Sequence, residues 1–99
     1  MNFFKLKLYY NDVMKRIIIE DKIFELSQIK QLYPAVEVFT GINDEVTQIS
    51  LEWMDMESKG RVEVKRYAIF IVFKDDAKIS FYYESREKLN IALKNIILK

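Results

Sequence analysis

From Ala68 to Phe73 the chain reads Ala-Ile-Phe-Ile-Val-Phe, an apolar run of β-branched and aromatic residues without a polar break. Such a run predicts a strand covered on both faces. Lys74-Asp75-Asp76-Ala77-Lys78 interrupts it with turn residues. Ile79, Phe81 and Tyr83 then alternate with Ser80, Tyr82 and Glu84, the period of a half-buried strand. Ser85 is a good N-cap and Glu87 puts negative charge in the turn that follows. Leu89, Ala92, Leu93, Ile96 and Ile97 recur at the spacing of one helical face, predicting an amphipathic helix that runs to the chain's last residues. At about fourteen residues it is close to the length at which an isolated helix is marginal, so it must dock on the sheet.

The earlier part of the chain predicts more antiparallel strands. Residues 2–20 read as a hairpin, with Phe4, Leu6, Leu8 and Tyr10 on one face and Phe3, Lys5, Lys7 and Tyr9 on the other. Asn11-Asp12 is its turn, and Val13 to Glu20 returns with Ile17-Ile18-Ile19. Glu20-Asp21-Lys22 turns the chain again, and Ile23 to Leu26 is a short strand. Between Ser27 and Tyr33 the spacing of Leu26, Ile29, Leu32 and Tyr33 predicts a short helical turn stopped by Pro34, the alternative being a bent edge strand. Val36, Val38 and Thr40 form the next strand, ended by Gly41 and Asn43-Asp44-Glu45. Residues 46–56 alternate as a strand with Ile49, Leu51 and Trp53 inward. A turn at Glu57–Gly60 leads into a long strand from Arg61 to Phe73. In it Val62 and Val64 are even, whereas Tyr67, Ile69, Ile71 and Phe73 are odd. A strand has side-chain period two, so either a bulge near Lys65-Arg66 resets the face or both faces are covered.

These elements predict a mainly β, α+β fold in one domain: a strongly bent antiparallel sheet or partial barrel of six to seven strands, closed by one C-terminal amphipathic helix. The stretch ISFYYESREKLNIALKNI (79–96), as a last strand and capping helix, and the stretch IFELSQI (23–29), as a strand running into a loop, resemble the pleckstrin-homology-like superfamily, including its GRAM-type members. The resemblance implies a scaffold that binds lipids, peptides or proteins rather than a catalyst. Members that hold phosphoinositides use basic residues around the first hairpin. Here Lys7, Lys15 and Arg16 lie near that place without the family's spacing, and Asp12 at the tip opposes an anionic headgroup.

Composition narrows the chemistry. The chain has no Cys and no His, which removes disulfides, thiolate nucleophiles, the usual general base and the usual zinc ligands. Its two glycines do not make a phosphate-cradling loop. The acidic pairs Asp75-Asp76 and Asp44-Glu45, and Asp55 with Glu57, read as turn and surface chemistry, so neither metal nor cofactor is expected and the chain reads as no enzyme. A net charge of +1 exerts no global pull on nucleic acid, and no run is long enough to span a membrane. The expectation is a soluble, cytoplasmic protein. Twelve Lys against four Arg, with many Ile and Asn, is the usage of an AT-rich bacterial or phage genome and suggests an accessory protein of a phage or mobile element.

Two surfaces stand out. On the back of the predicted helix, Ile91 and Leu98 lie opposite the core face, and Tyr82 points away from Phe81. These are candidates for binding a protein partner or a second copy. On the outer face of the first hairpin, Phe3, Lys5, Lys7 and Tyr9 interleave aromatic and basic side chains, with Lys15 and Arg16 beside them. That pattern suits stacking on bases and holding phosphates, and makes nucleic-acid binding the alternative function.

Overall fold

The structure, a computed structural model, describes residues 15–58 and 62–99. Its described strands are β1 (Arg16–Ile19), β2 (Lys22–Glu25), β3 (Ile29–Phe39), β4 (Val46–Ile49), β5 (Glu63–Phe73), β6 (Lys78–Tyr83) and β7 (Ile97–Leu98). A one-turn helix α1 (Leu51–Trp53) follows β4, and α2 (Arg86–Lys94) follows β6. The strands form two antiparallel sheets, one in the order β2-β1-β7 and one in the order β4-β3-β5-β6. The described residues are thus mainly β with two short helices, and their strands do not close into a barrel. No helix among the described residues is long and apolar enough to cross a membrane.

The apolar run in β5 behaves as its composition predicts. Ile69 and Ile71 enter the main core, while Ala68 and Phe70 are buried on the opposite face with Ala35 and against Tyr33. The main core lies between the inner face of the large sheet (Leu32, Ile69, Ile71), the inner face of the small sheet (Ile17, Ile19) and α2 (Leu89, Ala92), with Ile96 just beyond the helix. Phe24 closes one side, its ring centroid 5.8 Å from Phe73 and 6.4 Å from Phe81. Leu89 is fully buried, and burying a side chain of that size contributes roughly 1.5–3 kcal/mol.

The change of phase in β5 is a bulge. Glu37 pairs with Arg66 and Val38 with Val64, so Lys65 has no partner on β3. A second irregularity lies between Ile29 and Gln31, leaving Lys30 as the extra residue on β3. Bulges bend and twist the strands that carry them.

Three expectations need correction. The segment Ser27–Tyr33 is helical only as a 3-10 turn over Leu26–Gln28, and β3 runs extended from Ile29 through Pro34. Proline is tolerated there because β4 first pairs at Val36, leaving β3 an edge on that side among the described residues. The predicted strand 46–56 ends at Ile49. Ser50 caps a helical turn instead, its Oγ accepting the Trp53 N–H at 3.0 Å, and the turn widens into a π-helical stretch over Met54–Ser58. Trp53 is therefore turned out rather than in, 42% exposed. Finally, the C-terminal helix stops at Lys94. Ile97 leaves its predicted core face and lies extended in β7, beside β1. Asn95 takes φ −89° and ψ 0°, Ile96 is held in the core, and Arg16 and Lys99 exchange backbone N–H···O bonds of 2.8 and 2.9 Å. Ser85 does cap α2 as expected, accepting the Lys88 N–H at 3.1 Å. Of the predicted first hairpin only its last residues fall in the described region, and the Glu57–Gly60 turn lies partly outside it.

Candidate protein-interaction surface

The small sheet has one face in the core and one in solvent, and pairing decides what the solvent face carries. Ile18 on β1 stands opposite Ile23 on β2 and opposite Ile97 on β7. Directly opposed residues of antiparallel strands project to the same side. Because Ile17 and Ile19 are buried, Ile18 projects outward. The three isoleucines therefore form one row across the sheet, about 10 Å from first to last at the usual strand spacing. Ile23 is 63% exposed and Ile97 46% exposed, with Ile18 half-buried between them.

The neighbouring row on this face is charged. Arg16 pairs with Glu25, and its Nε donates to the Glu25 carboxylate at 3.1 Å. Lys99 meets Arg16 on the other side through the paired backbone bonds. The face thus carries an apolar row flanked by a charged row that reads minus, plus, plus from Glu25 through Arg16 to Lys99. The β1–β2 turn at its far end is a two-residue loop, Glu20 and Asp21, with φ of 51° and 64°.

The residues expected to bind protein are all exposed but do not form one patch. Ile91 lies on the solvent side of α2. Tyr82 lies on the outer face of the large sheet, the face turned from α2. Leu98 alternates with Ile97 and so takes the other side of β7. Tyr82 is, moreover, already engaged: the Arg66 guanidinium sits 3.6 Å from its ring centroid, and the edge-on Phe70 ring is 6.5 Å away. Arg66 also donates to the Glu37 carboxylate, which raises its pKa above the ordinary value. Lys78 covers the Phe70 ring at 4.1 Å. Cations thus occupy the aromatic faces of that surface.

Of the residues expected to bind nucleic acid, Phe3, Lys5, Lys7 and Tyr9 lie outside the described residues. Lys15 and Arg16 are described, and Arg16 is spent on Glu25. No group of three or more acidic side chains among the described residues converges as a metal site.

Ile18 and Ile23 were not singled out by periodicity. Once Ile17 and Ile19 point inward, Ile18 between them must point out, and that signal is present in the Ile17-Ile18-Ile19 run. What the sequence lacks is the strand pairing that sets Ile23 and Ile97 beside it. No family model matches the chain, and no curated protein or solved structure is detectably similar to it.

Proposed function

We propose that the chain is a non-enzymatic interaction module that binds protein through the outer face of its small sheet, with a second copy of the chain as the partner. The observation that carries this is the row Ile23–Ile18–Ile97, aligned by pairing and left in solvent. The adjacent Arg16, Glu25 and Lys99 favour a two-fold arrangement, in which Glu25, already bonded to Arg16 of its own copy, also meets Lys99 of the other. A pleckstrin-homology-like scaffold with its strands bent into a partial barrel belongs to the same proposal. It is supported by the order of strands before α2 and by the bulges at Lys30 and Lys65.

The expected affinity is modest. Covering the exposed fractions of Ile23 and Ile97 is worth roughly 2–3 kcal/mol per copy, or roughly 4–6 kcal/mol for two. Association costs at least about 4 kcal/mol in lost freedom, so the row alone supports only a weak dimer. A dissociation constant near 1 mM needs about −4 kcal/mol, so the charged row must add to the apolar one, and sedimentation equilibrium from micromolar to about 1 mM protein tests whether it does. The wild type should gain mass with concentration, and Ile23→Glu should stay monomeric because it places a carboxylate in the apolar row. A wild type that is monomeric throughout, or an Ile23→Glu variant that associates equally well, ends the proposal.

A further inference from the structure

The outermost strand of the large sheet, β6, presents an edge that lies on different elements from the isoleucine row. No described strand pairs with β6 on the side away from β5. The β5–β6 hairpin shows which backbone groups that side holds. Val72 stands opposite Lys78, and the Phe73 N–H donates to the Ala77 carbonyl at 2.8 Å, so Phe73 and Ala77 are a directly bonded pair. Bonded and non-bonded pairs alternate along antiparallel strands. Ile79, Phe81 and Tyr83 therefore direct their backbone groups to β5, whereas Lys78, Ser80 and Tyr82 turn theirs to the free edge. Such an edge is a template for another extended chain.

The other open edges among the described residues are short or blunted. β3 is open beside Ile29–Ala35, but Lys30 is a bulge there and Pro34 has no N–H to give. β2 and β4 are four residues long and β7 is two. β6 has six residues, no proline or glycine, and an unbroken register against β5. Its side chains are incompletely covered on both faces. Ile79, Phe81 and Tyr83 stand opposite inward-facing residues of β5 and are each half-buried. On the outer face Tyr82 is 46% exposed, and the exposed Lys78 lies at the strand's start.

This pattern describes the occupant. Its backbone is extended, its residues opposite Ile79, Phe81 and Tyr83 project inward and are apolar, and the one opposite Lys78 is acidic. A second copy on this edge, added to one on the small sheet, would string copies into an open row. The choice of a different protein as the source rests on that small-sheet contact; the open edge itself does not.

We propose that β6 takes up an extended segment of a partner protein as a fifth strand of the large sheet, antiparallel, with apolar residues beside Ile79, Phe81 and Tyr83 and a carboxylate against Lys78. The probe is a fluorescein-labelled peptide, Val-Thr-Val-Thr-Val-Glu, whose glutamate falls opposite Lys78. It is titrated against the full chain, up to about 1 mM protein, while its anisotropy is followed. Binding should saturate. In this register the second threonine directs its N–H to Ser80, and the middle valine directs its own away from β6. Methylating the second threonine's nitrogen should weaken binding at least about tenfold, and methylating the middle valine's should not. Ser80→Pro removes the N–H that faces the edge and none that faces β5, so it should weaken binding as much, with circular dichroism and Tm close to wild type. Lys78→Glu should weaken this peptide about threefold and favour one that ends in lysine. Ile23→Glu should bind the peptide like the wild type, which keeps this result separate from self-association. The proposal is overturned if the anisotropy does not rise, if the two methylated peptides bind alike, or if Ser80→Pro binds like the wild type. It is overturned equally if Ile23→Glu gains mass without peptide and added Ser80→Pro abolishes the gain, because the occupant is then a second copy.

Discussion

Replacing Tyr83 by Phe should make the protein more stable. Tyr83 ends β6, opposite Tyr67, and its ring packs on the main core. Its hydroxyl is buried and has no partner with hydrogen-bond geometry, the Glu20 carboxylate lying near it without completing a bond. Burial first, and then the nearby Glu20 carboxylate, push its pKa far above the ordinary value of 10.0. A buried polar group without a partner costs about 1–3 kcal/mol. Since the residue as a whole is only half-buried, the lower end applies, and Phe, which keeps the ring, should gain about 1 kcal/mol. In a chain of this size that gain corresponds to a rise in Tm of roughly 4–8 °C.

The same residue gives the effect a pH signature. Because folding raises the pKa of Tyr83, the contribution is intact below the unfolded value of 10.0 and is lost as the pH climbs from there toward the folded value. In that window the unfolded tyrosine releases its proton and the folded one keeps it. The chain's other five tyrosines are shared by wild type and variant, so the difference between the two isolates Tyr83. Urea unfolding followed by circular dichroism, at pH 7 and at about pH 11, measures it. The advantage of Tyr83→Phe should be present at neutral pH and should widen in alkali. A variant less stable than wild type at pH 7 would mean that the hydroxyl has a working partner, with Glu20 the first suspect. An advantage that stays constant into alkali would mean that Tyr83 titrates as freely when folded as when unfolded.

Two further outcomes follow from the backbone. Glu20 and Asp21 both hold φ in the left-handed region, where a side chain other than that of Gly or Asn is disfavoured, so Glu20→Asn with Asp21→Gly should raise stability by about 1 kcal/mol in thermal unfolding. Deleting Lys65 removes the unpaired residue of β5 and reverses the faces of the residues before it, Val64 among them, so the deletion should lower Tm well below that of Lys65→Ala, which keeps the bulge and should resemble wild type.

What the sequence discloses and what it conceals divide on a physical line. The bulge at Lys65 is legible because two apolar phases of one strand disagree, and no pairing need be known to notice it. The start of α2 is legible because Ser85 acts on a backbone N–H three residues away. The segment 46–56 misleads because Ile49, Leu51 and Trp53 fit period two, yet Ser50 offers the backbone a local alternative and ends the strand. The end of the chain misleads in the same way. Ile96 and Ile97 continue the helical spacing of Leu89, Ala92 and Leu93, but β1 has an edge that the last residues can join, and that pairing is a tertiary fact.

The contact surface proposed on the small sheet arises where the local pattern is overruled. Had α2 continued through Ile97, that side chain would have faced the core, and Ile18 and Ile23 would have stood on the small sheet without a third neighbour. Instead Ile96 enters the core and Ile97, one position on, is carried to the solvent face of β7. Likewise, had β4 continued to Trp53, the alternation would have turned its indole inward; the cap at Ser50 turns it out and places Met56 one turn beyond. In each case a stabilising backbone arrangement leaves a large apolar side chain in water and forgoes the gain that its burial would have given. Places where local preference and final structure conflict are where function is to be sought, because a partner can supply the burial that the fold withholds.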